Sequence, residues 1–253
     1  MRVSAQAFWS RKAGNQKSEY EDAFWPERPL ISGNSATFQF AVADGATETS
    51  FSGIWAKQLV RAFCKGELEG EKFLESLRVL REKWHKIVSR KPMPWYAEEK
   101  VRSGAFAAIL GLLLNDSSDP REDGKWTALA VGDSCVVQLR GKELVTSFPI
   151  QNSAQFNNSP VLLSSRSMQD QADTQMLSTM QGTWRKGDAF YLMTDAIACW
   201  FLKRVENGHV PSREFQDLSG KSKHFQSWLT TIRESKVVRN DDVTIVRVEI
   251  EKS

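Results

Sequence analysis

Long apolar runs are missing from this chain. Nowhere in its 253 residues is there a stretch near the roughly 18 uncharged apolar residues that a membrane-spanning helix needs, so no membrane partner is expected. The first residues, Met1 to Trp9, have no continuous apolar centre; no signal peptide is read there, and a cytoplasmic location is the expectation. Cysteine is sparse: Cys64, Cys135 and Cys199 are odd in number, far apart and set in apolar runs, which fits reduced core thiols rather than a disulfide framework or a thiolate metal site. Histidine is as sparse, and His85, His209 and His224 form no zinc-type His-Glu-x-x-His. His85, among Lys83, Trp84 and Lys86, reads as an exposed or boundary helix residue. Neither sign of charge dominates, with 34 Lys and Arg against 31 Asp and Glu and a net +3. No basic block interleaved with aromatics is present, so no nucleic-acid partner is expected. Absent too are a Gly-x-Ser-x-Gly elbow, a Cys-x5-Arg loop and a Gly-x4-Gly-Lys-Ser/Thr phosphate loop, which removes the usual signatures of a protein nucleophile or a phosphate-cradling loop.

What the chain does have is acid at the ends of apolar, strand-like runs: Glu21-Asp22, Asp44-Gly45, Asp195 and Asp241-Asp242. Ala36 to Ala43 alternates, with Phe38, Phe40 and Val42 on one face and Thr37, Gln39 and Ala41 on the other, before a turn expected at Asp44-Gly45. Val243 to Ile250 alternates in the same way, so Asp241 and Asp242 stand at a strand mouth. The denser run Ala189 to Thr194 enters Asp195, after which Ile197, Trp200, Phe201 and Val205 recur at helical spacing. Asp133 lies in a turn between the runs Trp126 to Val131 and Cys135 to Leu139. Any one of these acids alone reads as a turn former or helix cap. Several, carried on rigid strands from distant parts of the chain, suggest a shared oxygen site for hard divalent cations such as Mg²⁺ or Mn²⁺.

The order Glu-Asp, Val-Ala-Asp-Gly, Val-Gly-Asp-Ser, Met-Thr-Asp and Asn-Asp-Asp-Val-Thr resembles the metal-dependent protein phosphatase 2C family of serine/threonine phosphatases, from about Gln16 to Glu249. The stretches from Phe148-Pro149 to Ser165 and from Thr194 to Leu202 resemble a compact bacterial branch of it. The resemblance implies two divalent metal ions, Mn²⁺ or Mg²⁺. Asp44 would bridge them, Asp195 and Asp241 would hold one, and Glu21 with the Gly45 carbonyl would hold the other. Asp22 would support through water, and Asp133 would mark a third metal position. Lys17 stands four residues before Glu21, where many relatives have a phosphate-binding Arg; it can neutralise a phosphate but cannot clamp it bidentately. Arg11 and Lys12 lie nearby and are otherwise read as solvated. The family's Asp-Gly-x-Gly-Gly is here Asp44-Gly45-Ala46-Thr47-Glu48, with no His to serve as a general acid, and its Ser-Asp-Gly is Thr194-Asp195-Ala196.

The implied fold is α+β: two packed antiparallel sheets flanked by helices, a four-layer α-β-β-α sandwich, as one domain over residues 1–253. Two amphipathic helices, one through Phe51, Ile54, Trp55, Leu59, Ala62 and Phe63 and one through Leu77, Leu80, Trp84, Ile87 and Val88, are expected to cover one sheet. The cationic residues between Arg78 and Lys91 read as the second helix's solvated face. A late helix is expected within Ser212 to Ser235. Lys91 to Tyr96 reads as a rigid connector in which Trp95 would pack or contact a partner, and Asn115 to Gly124 as a hairpin loop. Ser147 to Gly182, polar and long, reads as a flap that selects substrate, with one strand hidden around Val161 to Leu163, or as a surface loop.

Function then divides. The first reading is a monomeric, metal-dependent phosphatase acting on phosphoserine or phosphothreonine in proteins, the targets of a partner serine/threonine kinase. The second, motivated by Ala46 to Glu48 and Lys17, is a catalytically silent domain of the same fold that binds a phosphoprotein or senses a ligand. A two-metal nuclease uses similar acids but needs a broad basic footprint, which is absent.

Overall fold

A computed structural model gives the structure of residues 1–251, except 48, 50, 69, 92–100, 102, 118, 120, 158, 167–172, 174 and 219–221. In chain order the first half holds β1 (Arg2–Ser10), β2 (Ala23–Trp25), β3 (Leu30–Asn34), β4 (Thr37–Gly45), α1 (Ser52–Phe63), α2 (Phe73–Val88), β5 (Phe106–Asn115) and β6 (Gly124–Val131). There follow β7 (Cys135–Arg140), β8 (Glu143–Phe148), β9 (Leu163–Ser164), β10 (Ser178–Trp184), β11 (Asp188–Met193), α3 (Asp195–Glu206), α4 (Ser212–Gln216), α5 (Ser222–Glu234) and β12 (Val243–Ile250).

The strands form two antiparallel six-stranded sheets. One runs β3-β1-β12-β11-β7-β8; the other runs β10-β6-β5-β4-β2, with β9 paired to β5. Strand alternation builds the space between them: Phe40 and Val42 of β4, Leu110 and Leu112 of β5, Phe190 and Leu192 of β11, and Val246 and Val248 of β12 share one buried cluster. The opposite faces are also apolar, and each takes a helix layer. Ala41, Ala43 and Ile109 pack under Trp55, Leu59 and Phe63 of α1 and Leu77 and Trp84 of α2. Val137, Tyr191 and Ile245 pack under Ile197 and Phe201 of α3, Phe215 of α4 and Phe225 and Leu229 of α5. The result is the α-β-β-α sandwich expected from the sequence. Because both faces of the central strands are covered, their ends, where the acids sit, are held by packing on two sides.

Several local expectations are corrected. β4 does not turn at Asp44-Gly45 but continues through them, with Asp44 paired to Ala108 and Gly45 to Ala107. Ser147 to Gly182 contains most of a further strand, β10, which runs on to Trp184, besides the short β9 near Val161–Leu163. β10 was hidden because its polar sequence, Ser-Thr-Met-Gln-Gly-Thr-Trp, forms a sheet edge that buries only Trp184. The late helical region is two helices, α4 and α5, rather than one. Asn115 to Gly124 does join β5 to β6, and His85 is exposed. The Trp95 contact and the rest of the connector beyond Lys91 lie outside the described residues.

The solvated reading of the α2 cations fails at Arg81. Arg81 is buried, and its guanidinium takes both carboxylate oxygens of the fully buried Asp173 at 2.9 Å and donates from Nε to the Ser164 carbonyl at 3.1 Å. A bidentate, desolvated pair of this kind is costly to break because one charge is then stranded. It fastens the β9 region to the outer helix layer. Asp173→Ala is expected to lower unfolding free energy by about 3–5 kcal/mol in urea titrations; a loss below about 1 kcal/mol would show that Arg81 is relieved by water instead.

Candidate metal centre

The β2–β4 register pairs Ala23 with Ala43, so one residue further along Asp22 comes opposite Asp44. Asp44 lies on the face of β4 that carries Phe40 and Val42, at the mouth of the gap between the sheets. From the other sheet, β11 ends at Met193, Thr194 takes the N-cap position of the next helix, and α3 begins with Asp195. β12 begins directly after Asp241-Asp242. The β11–β12 pair is extended past its ladder by Thr194 N–H donating to the Thr244 carbonyl at 3.1 Å and Thr244 N–H donating to Thr194 Oγ1 at 3.0 Å. Asp133 is delivered by the β6–β7 turn. Gly132 in that turn has φ +100°, and a Cβ there would meet the Ala108 Cβ at 2.5 Å, so only glycine makes the turn so close to β5.

These placements gather the acids. Asp44 feels Asp22, Asp195, Asp133 and Asp241 electrostatically, and its carboxyl also meets that of Asp195. Loss of solvent first, and then these like charges, push the Asp44 carboxyl well above the usual carboxylate range. Burial does the same to Asp22, aided by Asp242 and Asp195. Asp133 is pushed up to about 7, by burial first and then by Asp195. Asp195 is raised by burial, with the Arg239 guanidinium opposing the rise. Glu21 is also raised by burial, against hydrogen bonds from Ser52 and Thr47. All five shifts have one physical meaning: the pocket needs positive charge or protons.

The remaining contacts divide the acids by task. Asp242 is committed to the backbone, its Oδ1 accepting from Lys12 N–H at 2.7 Å and its Oδ2 from Glu21 N–H at 2.8 Å. Asp22 Oδ2 accepts from Thr244 Oγ1 at 2.6 Å, and Thr244 Oγ1 shares a second hydrogen bond with Tyr20 OH. Ser52, at the start of α1, donates to Glu21. Arg239 donates to Asp195 Oδ2. Asp22 Oδ1 and Asp195 Oδ1 are buried with no partner. Gly45 is pressed against the Glu21 backbone, where a Cβ would come within 2.7 Å of the Glu21 carbonyl oxygen, so these two residues approach as no larger residue would permit.

Among the described residues, no three His, Cys, Asp or Glu side chains close into a ready-made ligand group. The donor set nevertheless fits a hard divalent cation: it is all oxygen, strongly anionic and largely buried, and two of its carboxylate oxygens lack a hydrogen bond. Asp22, Asp44, Asp133, Asp195 and Asp241 therefore come together, with Glu21 and Gly45 at their edge. Lys17 does not join them. It is exposed, with Nζ 6.0 Å from the centre of the Trp9 ring, and shares only a neighbouring cleft with Glu21 and Asp22.

A protein phosphatase 2C family profile matches residues 16–241. The chain belongs to the protein phosphatase 2C family. Solved phosphatase 2C-like structures share its fold. The serine/threonine phosphatase PstP/Ppp of Mycobacterium tuberculosis is 15% identical, with all of both chains covered and a TM-score of 0.59. The catalytic domain of PstP in complex with two manganese ions is 13% identical, with all of both chains covered and a TM-score of 0.56. PppA of Pseudomonas aeruginosa, described as a key regulatory component of its T6SS, is 16% identical over 98% of each chain, with a TM-score of 0.56. No curated protein matches the sequence.

Within this phosphatase 2C-family chain, four residues that bear on the acids were not singled out from the sequence. Tyr20, Ser52 and Arg239 gave no signal, since each reaches its acid only through the fold. Thr244 was visible only as the last residue of Asp-x-x-Thr. It deserves its own test, since replacing it by Val keeps the volume but strands Asp22 Oδ2 and the Tyr20 hydroxyl. Thr244→Val is expected to destabilise by about 1–3 kcal/mol in denaturant unfolding, with Thr244→Ser restoring most of the loss; equal stability of Val and Ser variants would refute the hydrogen-bond relay.

Proposed function

We propose that this phosphatase 2C-family chain is a metal-dependent protein phosphatase that hydrolyses phosphoserine or phosphothreonine in protein substrates. The observation that carries the reading is the convergence of Asp22, Asp44, Asp133, Asp195 and Asp241 into one anionic pocket, in which burial and mutual repulsion raise the carboxyls of Asp22, Asp44, Asp133 and Asp195. Evolution has no physical reason to bury like charges together unless a cation offsets them. The family match, and the description of a structural neighbour as a serine/threonine phosphatase catalytic domain with two manganese ions, support Mn²⁺ or Mg²⁺ as that cation.

A bound pair of divalent ions supplies an activated water and neutralises charge on the phosphoryl oxygens. The chain's own residues do the rest. In this reading Asp44 would contribute to both ions, Asp195 and Asp241 would hold one, and Glu21 with the Gly45 carbonyl would hold the other. Asp22, fixed by Thr244, orients water at their margin, and Asp133 provides a third position. Asp242 ties the N-terminal strand's end and Glu21 to β12, so it sets the spacing of the acids rather than holding metal. Lys17, at the rim, draws in the phosphoryl group as a point charge. Among the described residues no His bonds to the clustered acids, so in this reading the leaving oxygen would take its proton from water. The substrate would be a kinase's phosphoprotein product, met by a monomer in the cytoplasm.

A second reading has one observation in its favour. Arg239 places a cation of the protein's own on Asp195, as a domain that binds phosphoproteins without turnover would tolerate. The two separate in one experiment: hydrolysis of an aryl phosphate and a phosphothreonine peptide with Mn²⁺, Mg²⁺ or chelator. Metal-dependent turnover is expected, falling by at least about 10²-fold in Asp44→Asn and Asp195→Asn with circular dichroism unchanged. Tight Mn²⁺ binding without turnover by the unaltered chain would establish the silent domain. Because Arg239 competes for an Asp195 oxygen, Arg239→Ala is expected to tighten Mn²⁺ binding about tenfold in titration calorimetry; weaker binding would mean that the arginine organises the site instead.

A further inference from the structure

Beside the acids lies a cleft of about 940 Å³ whose lining includes Glu21, Asp22, Lys17, Lys57, Lys91 and Phe51. The three lysines come from three separate elements: the short 3₁₀ turn Lys17–Glu19, α1, and the residues after α2. The α1 placement is tight. Gly53 packs against Glu21, where a Cβ would lie 3.3 Å from the Glu21 Cα, and Lys57 is one turn further along the same helix face, about 6 Å of rise away.

Glu19 and Glu27 of this cleft are occupied within the chain, and Glu21 and Asp22 are each held by a hydroxyl at one oxygen, whereas its lysines pair with no acid among the described residues. Glu19 accepts from Gln16 N–H, Glu27 pairs with Arg61 at 3.0 Å, Ser52 donates to Glu21 and Thr244 to Asp22. Among the described residues neither Lys57 nor Lys91 has an acidic partner. Lys91 is also oriented: its Nζ lies 5.4 Å from the Phe51 ring centre, as Lys17 lies over Trp9. Phe51 has φ 64°, a left-handed conformation that costs a bulky residue energy and is kept where the surroundings demand it. It turns the chain into α1 while carrying the ring that supports Lys91.

We infer that this cleft is a specificity subsite for acidic residues flanking the phosphorylated residue, so that the preferred substrate is a phosphopeptide rich in Asp or Glu. The inference rests on the phosphatase reading for the phosphoryl end, and on Lys57 and Lys91 for the flank. Their role is specificity, not catalysis, because they lie away from the acids that would meet the phosphoryl group. A peptide flank carrying negative charge would gain attraction to both lysines, whereas a Lys- or Arg-rich flank would be repelled.

The test is binding rather than turnover, so that it is read separately from activity. Fluorescence anisotropy on the full chain in an Asp44→Asn background, with Mn²⁺ present, would compare phosphothreonine peptides bearing Glu or Lys flanks, while the unaltered chain is assayed in parallel on an aryl phosphate. The Glu-flanked peptide is expected to bind about tenfold more tightly, the size two exposed charge pairs can supply. Lys57→Glu and Lys91→Glu should each shrink that ratio and together reverse it, with thermal midpoints unchanged. A ratio within about twofold for the parent, or a double variant that keeps the preference, would overturn the inference. So would binding to phosphoinositide-containing vesicles without discrimination between the peptides, which would assign the lysines to a lipid surface. Loss of aryl phosphate turnover with the peptide preference intact would overturn the phosphatase reading and leave the acidic subsite standing.

Discussion

Mutual repulsion among carboxylates at the ends of two packed sheets is the constraint around which this protein is organised. Five aspartates share one neighbourhood; Asp22, Asp133 and Asp195 are buried and Asp44 and Asp241 half-buried, so water screens their charge only in part. An isolated loop cluster would relax by moving apart. Here it cannot, because Asp44 continues a strand paired on both sides, Asp195 starts a helix packed on its own sheet, and Asp241-Asp242 lead straight into β12. The sandwich core holds the charges in place, and the charges in turn create the demand for cations that the proposed chemistry uses.

The hydrogen-bond network around the acids has the same logic. Each contact either removes one oxygen from the contest or fixes the chain that carries it. Asp242 spends both oxygens on backbone N–H groups and so ties the Lys12 and Glu21 segments to β12. Thr244 holds one oxygen of Asp22 and leaves the other unpartnered, and Arg239 does likewise for Asp195. What is left over, one oxygen on each of two acids, points to the cation-binding role without any geometry of the cation itself. The cleft beside them carries the opposite sign: Glu19 and Glu27 are satisfied within the chain, and Lys57 and Lys91 line it with no acidic partner among the described residues.

Legibility from the sequence followed burial and period. β4, β11, β12 and the Asp133 turn were readable because their apolar residues alternate or run together and end at an acid. α1 and α2 were readable because each has one apolar stripe. β10 was not, since its alternation of burial is carried only by Met180, Gly182 and Trp184 among polar residues, too weak a pattern to read in sequence. Arg81 was misread as solvated, because nothing local to α2 reports that Asp173, far along the chain, is buried against it. The division of α4 from α5 was missed for a similar reason: Phe215 and Phe225 pack into one core, and shared burial makes two short helices look like one amphipathic region.

The apolar runs by themselves determined which stretches are strands and which are helices, because strand period and helix period are local properties of a chain; the order of the acids carried the resemblance to the phosphatase 2C family, and that resemblance implied the four-layer class. The resemblance implied Asp241 rather than Asp242 for the metal; why Asp242 is taken was decided only by tertiary structure, which brings the Lys12 and Glu21 N–H groups onto its two oxygens, while Asp241 Oδ1 accepts from the adjacent Asp242 N–H. The same holds for Arg239 on Asp195 and for the lysines of the cleft. Their partners, or their lack of partners, are set by contacts between residues tens to hundreds of positions apart, and no local pattern encodes which distant side chain will arrive.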